Sequence, residues 1–346
     1  MDEQFYRSVL DRITDGVYFV TQERRITYWN VGAERITGFD AAEVVGRSCS
    51  DGILRHVSDS GRQLCLHGCP LARVMRDGRP RSADVYLHHK DGHRVAVRVQ
   101  GSAVRDGDGN ITGSVEIFSD RSPNPYAAAA VGAGEGAEPG SDPVTGVVTR
   151  RVGERYLEQA CQDSPDCDGY AMIFADVDRF KSINDLYGHH IGDRALRMVA
   201  KSLSNALSRA DIPIRWGGDE FLVVLPGADE ASALATAERI RMLVENSWFV
   251  VGDEQVRATV SLGVAVAPAG GMDGFEACGR ADHQMYKAKA AGGNRVAVRG
   301  ACLPVVSERP STPDCGAWTM LGIDEWPEAA GGGRRALVTV GDASVS

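Results

Sequence analysis

The chain has 346 residues, 43% of them hydrophobic, enough for two globular domains that each bury a core. Its net charge of −9 supplies no broad basic field, which argues against non-specific attachment to nucleic acid or to an anionic membrane. No apolar run approaches the ~20 residues needed to cross a bilayer, and MDEQFYRS is no secretory leader, so a soluble cytoplasmic protein with reduced cysteines is expected.

From Phe5 to Asp120, short β-type runs alternate with turn clusters. The runs are Val17 to Val20, Ile26 to Trp29, Ala83 to His88, Arg94 to Gly101 and Thr112 to Phe118. The late turns, Lys90-Asp91-Gly92 and Asp106-Gly107-Asp108-Gly109-Asn110, carry residues that tolerate left-handed backbone. Helical pieces fall between the second and third runs, one containing Ala41 to Val45 and one from Leu71 to Arg76, before the Asp77-Gly78-Arg79-Pro80 stop. The pattern predicts a small antiparallel sheet with flanking helices. The order of DGVYFV, ITYWN, GAERITGF, VVGR and GNITGSVEIFSD resembles a PAS sensor domain over residues 5–120. The resemblance leaves the ligand unknown, because PAS domains hold haems, flavins, metabolites or nothing, and many serve to dimerise.

Residues 121–141 combine proline, alanine and glycine with almost no large apolar side chain, as a flexible linker does. A short helix over Ala127 to Val131 would have little to pack against. A second unit, residues 142–300, alternates helices and strands, including a predicted helix from Asp193 to Ser208 with Leu196, Val199, Leu203 and Leu207 on one stripe. Residues 301–346, rich in Gly, Pro, Ser and acidic side chains, read as a disordered tail. The whole is a two-domain chain mixing α+β and α/β character.

Within the second unit, Gly217-Gly218-Asp219-Glu220-Phe221 joins two apolar runs, Ile212 to Trp216 and Phe221 to Leu225. Gly-Gly between strands predicts a tight turn with positive φ. Upstream, an apolar strand runs into Asp176 and Asp178, with Val177 offering its carbonyl at the strand end. Oxygen donors of this kind suit Mg²⁺, which takes one or two carboxylates when phosphates and water complete its octahedron; Asp176 with Asp219 fits. Asp178 is read instead as the cap of a helix beginning at Arg179.

Five motifs in order resemble the GGDEF family of diguanylate cyclases: DPVTGVVTRR, DVDRFKSINDLYGHHIGD, RWGGDEF, TVSLGVA and ADHQMYKAKAAGGNR. The resemblance implies a central antiparallel sheet flanked by helices, akin to polymerase palms and nucleotidyl cyclases, and the joining of two GTP into cyclic di-GMP with release of two pyrophosphates. It implies a homodimer, since each subunit would bind one GTP and condensation needs two. It also implies two Mg²⁺ per active site, held by Asp176, the Val177 carbonyl, Asp219 and Glu220, with Asp219 or Glu220 able to take the hydroxyl proton. Gly217 and Gly218 would let phosphate approach the backbone, Lys181 and Lys289 would supply positive charge, Asn184 and Asp193 would read guanine, and His189 would sit beside ribose or base. Taken singly, the two lysines are equally solvated helix residues, Asn184 a turn residue, His189 a loop filler and Asp193 the cap of the next helix.

The chain departs from the family pattern at three places. Gly293 stands where an arginine usually holds phosphate, Thr149 replaces an asparagine, and Ser208 replaces the arginine of an RxxD inhibitory site whose Asp211 is kept. These departures keep open a rival reading, a weak or inactive module that binds GTP and regulates or recruits a partner. Cys49, Cys65 and Cys69 with His67, His56 or His88 admit a metal or redox site, with ordinary thiols the plainer reading, and the His88-His89 pair reads as a strand-end surface.

Overall fold

The computed structural model describes residues 3–122, 140–160, 169–267, 272–299 and 301–302. The expected linker, apart from its two ends, the helix over 127–131, Cys161, Cys167 and nearly all of the 301–346 tail lie outside them.

The first half is a five-stranded antiparallel sheet in the order β2-β1-β5-β4-β3, built from β1 (Gly16–Thr21), β2 (Ile26–Trp29), β3 (Arg81–His88), β4 (Arg94–Arg105) and β5 (Ile111–Asp120). All five expected strands are present, most of them longer than their apolar runs, because ladder pairing extends into the polar ends. Tyr18, Trp29 and Phe118 pack at the centre, with ring centroids 5.4 Å apart for Tyr18–Trp29 and 6.3 Å for Tyr18–Phe118. The helix Val31–Thr37 was not separated out in the sequence. It is set by Asn30, a buried cap whose Oδ1 accepts the N–H groups of Ala33 and Val17, both at 2.8 Å. The turn at 106–110 forms as expected, with Asp106 accepting from the N–H groups of Asp108 and Asn110 and Gly109 at φ 86°.

In the second half, a seven-stranded sheet has the order β14-β13-β12-β7-β9-β8-β6. Its strands are β6 (Val148–Thr149), β7 (Tyr170–Val177), β8 (Ile212–Arg215), β9 (Glu220–Pro226), β12 (Val260–Ala267), β13 (Val296–Val298) and β14 (Ala301–Cys302), while β10 (Trp248–Val251) and β11 (Glu254–Arg257) form a separate hairpin. Every residue of β7 is buried, because β12 and β9 flank it and helices cover both faces. Ala171, Ile173, Ala175 and Val177 join the core under helices His189–Asn205 and Glu230–Glu245; Tyr170, Met172 and Phe174 face helix Gly274–Ala290. Gly263 on β12 lets that last helix approach, since a Cβ there would lie 2.0 Å from the Ala281 carbonyl oxygen.

Two expectations change. The sheet is mixed, not wholly antiparallel: β12–β13 and β6–β8 run parallel, each pair joined by crossovers that include helices. The helix expected at Asp193 begins four residues earlier, at His189, with Gly188 as its cap.

The two halves pack together within one compact unit, Met1–Ser307. Arg94 of β4 is buried and donates through Nε and Nη2 to the Asn246 carbonyl at 3.0 and 2.6 Å. Asn205 donates to the Arg94 carbonyl at 2.7 Å, and Trp248 N–H to the Gly92 carbonyl at 3.1 Å. His88 stacks on Trp248 with ring centroids 4.3 Å apart. It is therefore not the surface residue expected: burial holds its imidazole neutral, at about 2. No helix among the described residues is long and apolar enough to cross a membrane.

Candidate active site

The strand β7 carries Asp176 to the sheet edge beside the hairpin between β8 and β9. Asp176 pairs with Glu220 across β7–β9, and the Val177 N–H donates to the Asp219 carbonyl at 3.1 Å. Period-two alternation turns Asp176 toward helix Gly274–Ala290, whose Lys289 places Nζ 2.5 Å from Asp176 Oδ1. That contact is an ion pair without hydrogen-bond alignment, so the buried Oδ1 has no directed donor.

Burial pushes the Asp176 carboxyl up to about 6; the charges of Asp219 and Glu220 push the same way, against Lys289. Glu220 is also raised, first by burial and then by Asp219 and Asp282, with Lys289 and Arg150 opposing. A buried oxygen without a directed donor, beside carboxylates that make one another's ionisation costly, fits a hard divalent cation. Neither thiol nor imidazole belongs to the group, which suits Mg²⁺ rather than a softer ion.

The hairpin itself differs from the expected turn. Neither Gly217 nor Gly218 has positive φ. Trp216 and Gly217 both donate their N–H groups to the Glu220 carbonyl, at 2.9 and 3.2 Å, closing a wider loop that needs no left-handed residue. The glycines serve space instead. A Cβ at Gly217 would stand 2.3 Å from Glu220 Oε2, and one at Gly218 would meet nothing within 4 Å, leaving that backbone open to a ligand. Arg215 buttresses the loop, donating through Nη2 to the Gly218 carbonyl at 2.7 Å and through Nη1 to Asp142 Oδ1 at 2.8 Å. The DPVTG segment thus anchors the hairpin, a role that spacing along the chain did not disclose.

Asp178 is not a helix cap. Arg179, at φ 55°, occupies the cap position of helix Phe180–Tyr187. The Asp178 carboxylate accepts from Thr259 Oγ1 at 2.7 Å, Ser261 Oγ at 2.6 Å and the Asn294 N–H at 2.9 Å. It pins β12 and the loop after helix Gly274–Ala290 to the end of β7. That loop explains Gly293: residues 292, 293 and 294 have φ of 112°, 77° and 50°, and a Cβ at Gly293 would lie 3.0 Å from Asp178 Oδ1. Arg295, the candidate substitute cation, donates Nε to the Gly293 carbonyl at 3.0 Å.

Asp176, Asp219, Glu220 and Lys289 are therefore gathered, with Asp282 and Arg150 at the margin. Lys181, Asn184, His189 and Asp193 lie on the corner formed by helices Phe180–Tyr187 and His189–Asn205. Lys181, His189 and Asp193 are exposed, and Asn184 Oδ1 covers Gly192, where a Cβ would lie 1.9 Å away. Asp193 sits in the second turn of its helix and caps nothing. At the RxxD position, Asp211 accepts the Ser208 N–H at 2.6 Å and closes a turn.

Cys49, Cys65 and Cys69 are free thiols. Among the described residues, the group of three potential ligands lying within 4.8 Å of one another is His89, Asp91 and His93, not the cysteines. A cavity of about 490 Å³ opens where the two halves meet, lined by His89, His93, Lys201, Asn205 and Asp211 and by none of the hairpin carboxylates.

Residues 14–123 match the PAS domain family and residues 140–295 the family described as diguanylate cyclase, GGDEF domain. The response regulator PleD of Caulobacter vibrioides is 41% identical over 165 residues, 46% of this chain and 36% of PleD. The diguanylate cyclase DgcM of Escherichia coli is 38% identical over 156 residues, 45% of this chain and 37% of DgcM. The chain thus spans little more than a third of the length of these two relatives. Among solved structures, the GGDEF domain of YfiN (TpbB) from Pseudomonas aeruginosa is 32% identical, covering 44% of this chain and 96% of that one at a TM-score of 0.41. The two matches follow one another in the order the motifs set out, so the chain carries a PAS domain followed by a GGDEF domain.

Proposed function

We propose that this chain condenses two GTP molecules into cyclic di-GMP, releasing two pyrophosphates, as a homodimer whose PAS domain governs the reaction. The observation that carries the reading is the buried, undirected oxygen of Asp176 beside Asp219, Glu220 and Lys289. Asp176, the Val177 carbonyl, Asp219 and Glu220 would hold two Mg²⁺, which supply charge neutralisation at the α-phosphate and acidify the ribose 3′-hydroxyl.

The chain's own residues do the rest. Lys289 is ion-paired with Asp176 and is placed to exchange that partner for phosphate oxygen. The open backbone at Gly218 admits phosphate against N–H groups. Asp219 or Glu220 would accept the 3′-hydroxyl proton as the hydroxyl attacks in line. Lys181 would add charge, Asn184 and Asp193 would take the guanine edge, where a carboxylate accepts from ring N–H and amino group together, and His189 would flank the sugar. The same proposal puts the reaction in the cytoplasm, where GTP is available.

A second reading, a GTP-binding module with weak or no turnover, rests on Gly293. Its left-handed backbone leaves no guanidinium at the phosphate clamp, and Arg295 is engaged by a carbonyl. Incubation of the purified chain with GTP and Mg²⁺, beside Asp219→Ala, separates the two. Cyclic di-GMP from the parent alone supports the enzyme, GTP binding without product supports the module, and product from both proteins refutes the site.

A further inference from the structure

The PAS interior contains a chain of buried groups that the proposed reaction leaves unused. His56 Nδ1 stands 3.7 Å from Cys65 Sγ, its Nε2 stands 3.3 Å from Glu116 Oε1, and the Tyr18 hydroxyl donates to the same carboxylate oxygen at 3.1 Å. His56, Glu116 and Tyr18 are 8%, 2% and 1% exposed, and Cys65 is half-buried at the open end. The local fold makes this alignment. Leu64 N–H donates to the His56 carbonyl, setting Cys65 across from His56, while β5 brings Glu116 in from beneath.

From this thiol, imidazole and carboxylate in line, we infer that Cys65 is a redox centre, oxidised by a hydroperoxide and resolved by Cys69 or Cys49. The arrangement is that of a nucleophile, a base and a carboxylate that meets the base as an ion pair without hydrogen-bond alignment. Burial alone would remove charge from both partners, raising the thiol and lowering the imidazole. Contact reverses this. Hydrogen bonding to His56 and its charge hold the Cys65 thiol below its usual range, and Glu116 with Cys65 holds His56 well above its own. Cys49 and Cys69 are pushed up, chiefly by burial and further by charge on the neighbouring sulfurs, so both remain protonated thiols.

The chemistry balances on these groups. The Cys65 thiolate attacks the outer peroxide oxygen, the O–O bond breaks, and the leaving alkoxide or hydroxide takes the proton of the His56 imidazolium. Sulfur loses two electrons and becomes a sulfenic acid. A thiol of Cys69 or Cys49 then displaces water to form a disulfide. The centre lies one residue from the seam between the halves: the Arg55 guanidinium covers the Trp248 ring at 5.0 Å, and the Arg55 carbonyl accepts from Arg94 Nη1 at 2.5 Å.

The test uses the full chain, reduced and then exposed to limiting hydrogen peroxide, with dimedone trapping and peptide mass mapping. Cys65 is expected to label first, at least tenfold faster than Cys49 or Cys69, and without dimedone a disulfide joining Cys65 to one of them accumulates. Alkylation of Cys65 by iodoacetamide should set in at lower pH than that of Cys49 or Cys69, and Glu116→Gln should slow it at least tenfold. If Glu116→Gln does not fold, the parent's pH profile decides. Labelling of Cys65 no faster than of the other two thiols, or alkylation that sets in at no lower pH than theirs, overturns the inference.

Discussion

Replacing Asp176 by asparagine keeps the shape of the side chain and removes a charge that the fold tolerates poorly. The Asp176 carboxyl rises from 3.8 to about 6, because the residue is buried between two other carboxylates. At ~1.4 kcal/mol per tenfold change in proton affinity, its ionisation costs ~3 kcal/mol more in the folded protein than in the unfolded chain. The sign follows from the raised affinity. The stability is intact below about pH 4, is lost as pH climbs toward 6, and stays lost above. Losing the Lys289 partner subtracts little from the effect of the substitution, since Lys289 is 37% exposed and turns into water. Asp176→Asn should therefore raise the stability of the Mg²⁺-free protein by ~1–3 kcal/mol at pH 7.5. At ~2–4 °C per kcal/mol for a domain of this size, Tm rises by ~2–12 °C, and the gain vanishes at pH 4. Calorimetric scans at the two pH values in EDTA provide the assay, and repeating them with Mg²⁺ and GTP should stabilise the parent alone. A variant that melts lower than the parent at pH 7.5, or gains equally at both pH values, would refute the account of Asp176 as a strained metal ligand.

Four further substitutions test the same geometry. Asp178→Asn should destabilise the second half by ~2–4 kcal/mol in urea unfolding, because one amide oxygen cannot serve three donors; a helix cap would cost no more than ~1 kcal/mol. Gly263→Ala should disrupt folding, its Cβ meeting helix backbone at 2.0 Å, whereas Gly218→Ala, pointing into open space, should change stability by less than ~0.5 kcal/mol yet weaken GTP binding in titration calorimetry. Gly293→Arg should lower stability by ~1–2 kcal/mol, since φ 77° strains a side-chain-bearing residue, while lowering the KM for GTP; an unchanged KM would remove the phosphate-clamp reading of that position.

Much of the molecule was legible along the chain. The five PAS strands, the apolar β7 and the β8–β9 hairpin follow from period-two runs bounded by turn residues, since local patterning sets local backbone. Asp176, Asp219 and Glu220 were legible because their carboxylates end or begin those same strands. Other features depend on partners distant in sequence. Asp178 looked like a cap until Thr259, just before β12, and Ser261 within it supplied donors, Asp142 acquires its role from Arg215, and no local spacing places Cys65, His56 and Glu116 in one line. Gly293 looked like a missing cation, and its left-handed backbone against Asp178 supplies the reason a side chain there is strained. Which elements form and which carboxylates end them is written locally along the chain, because hydrogen-bond period and turn chemistry are properties of neighbours. Which buried groups share a charge environment and which serve as supports is settled only on folding, because burial and through-space electrostatics arise when distant segments close on one another.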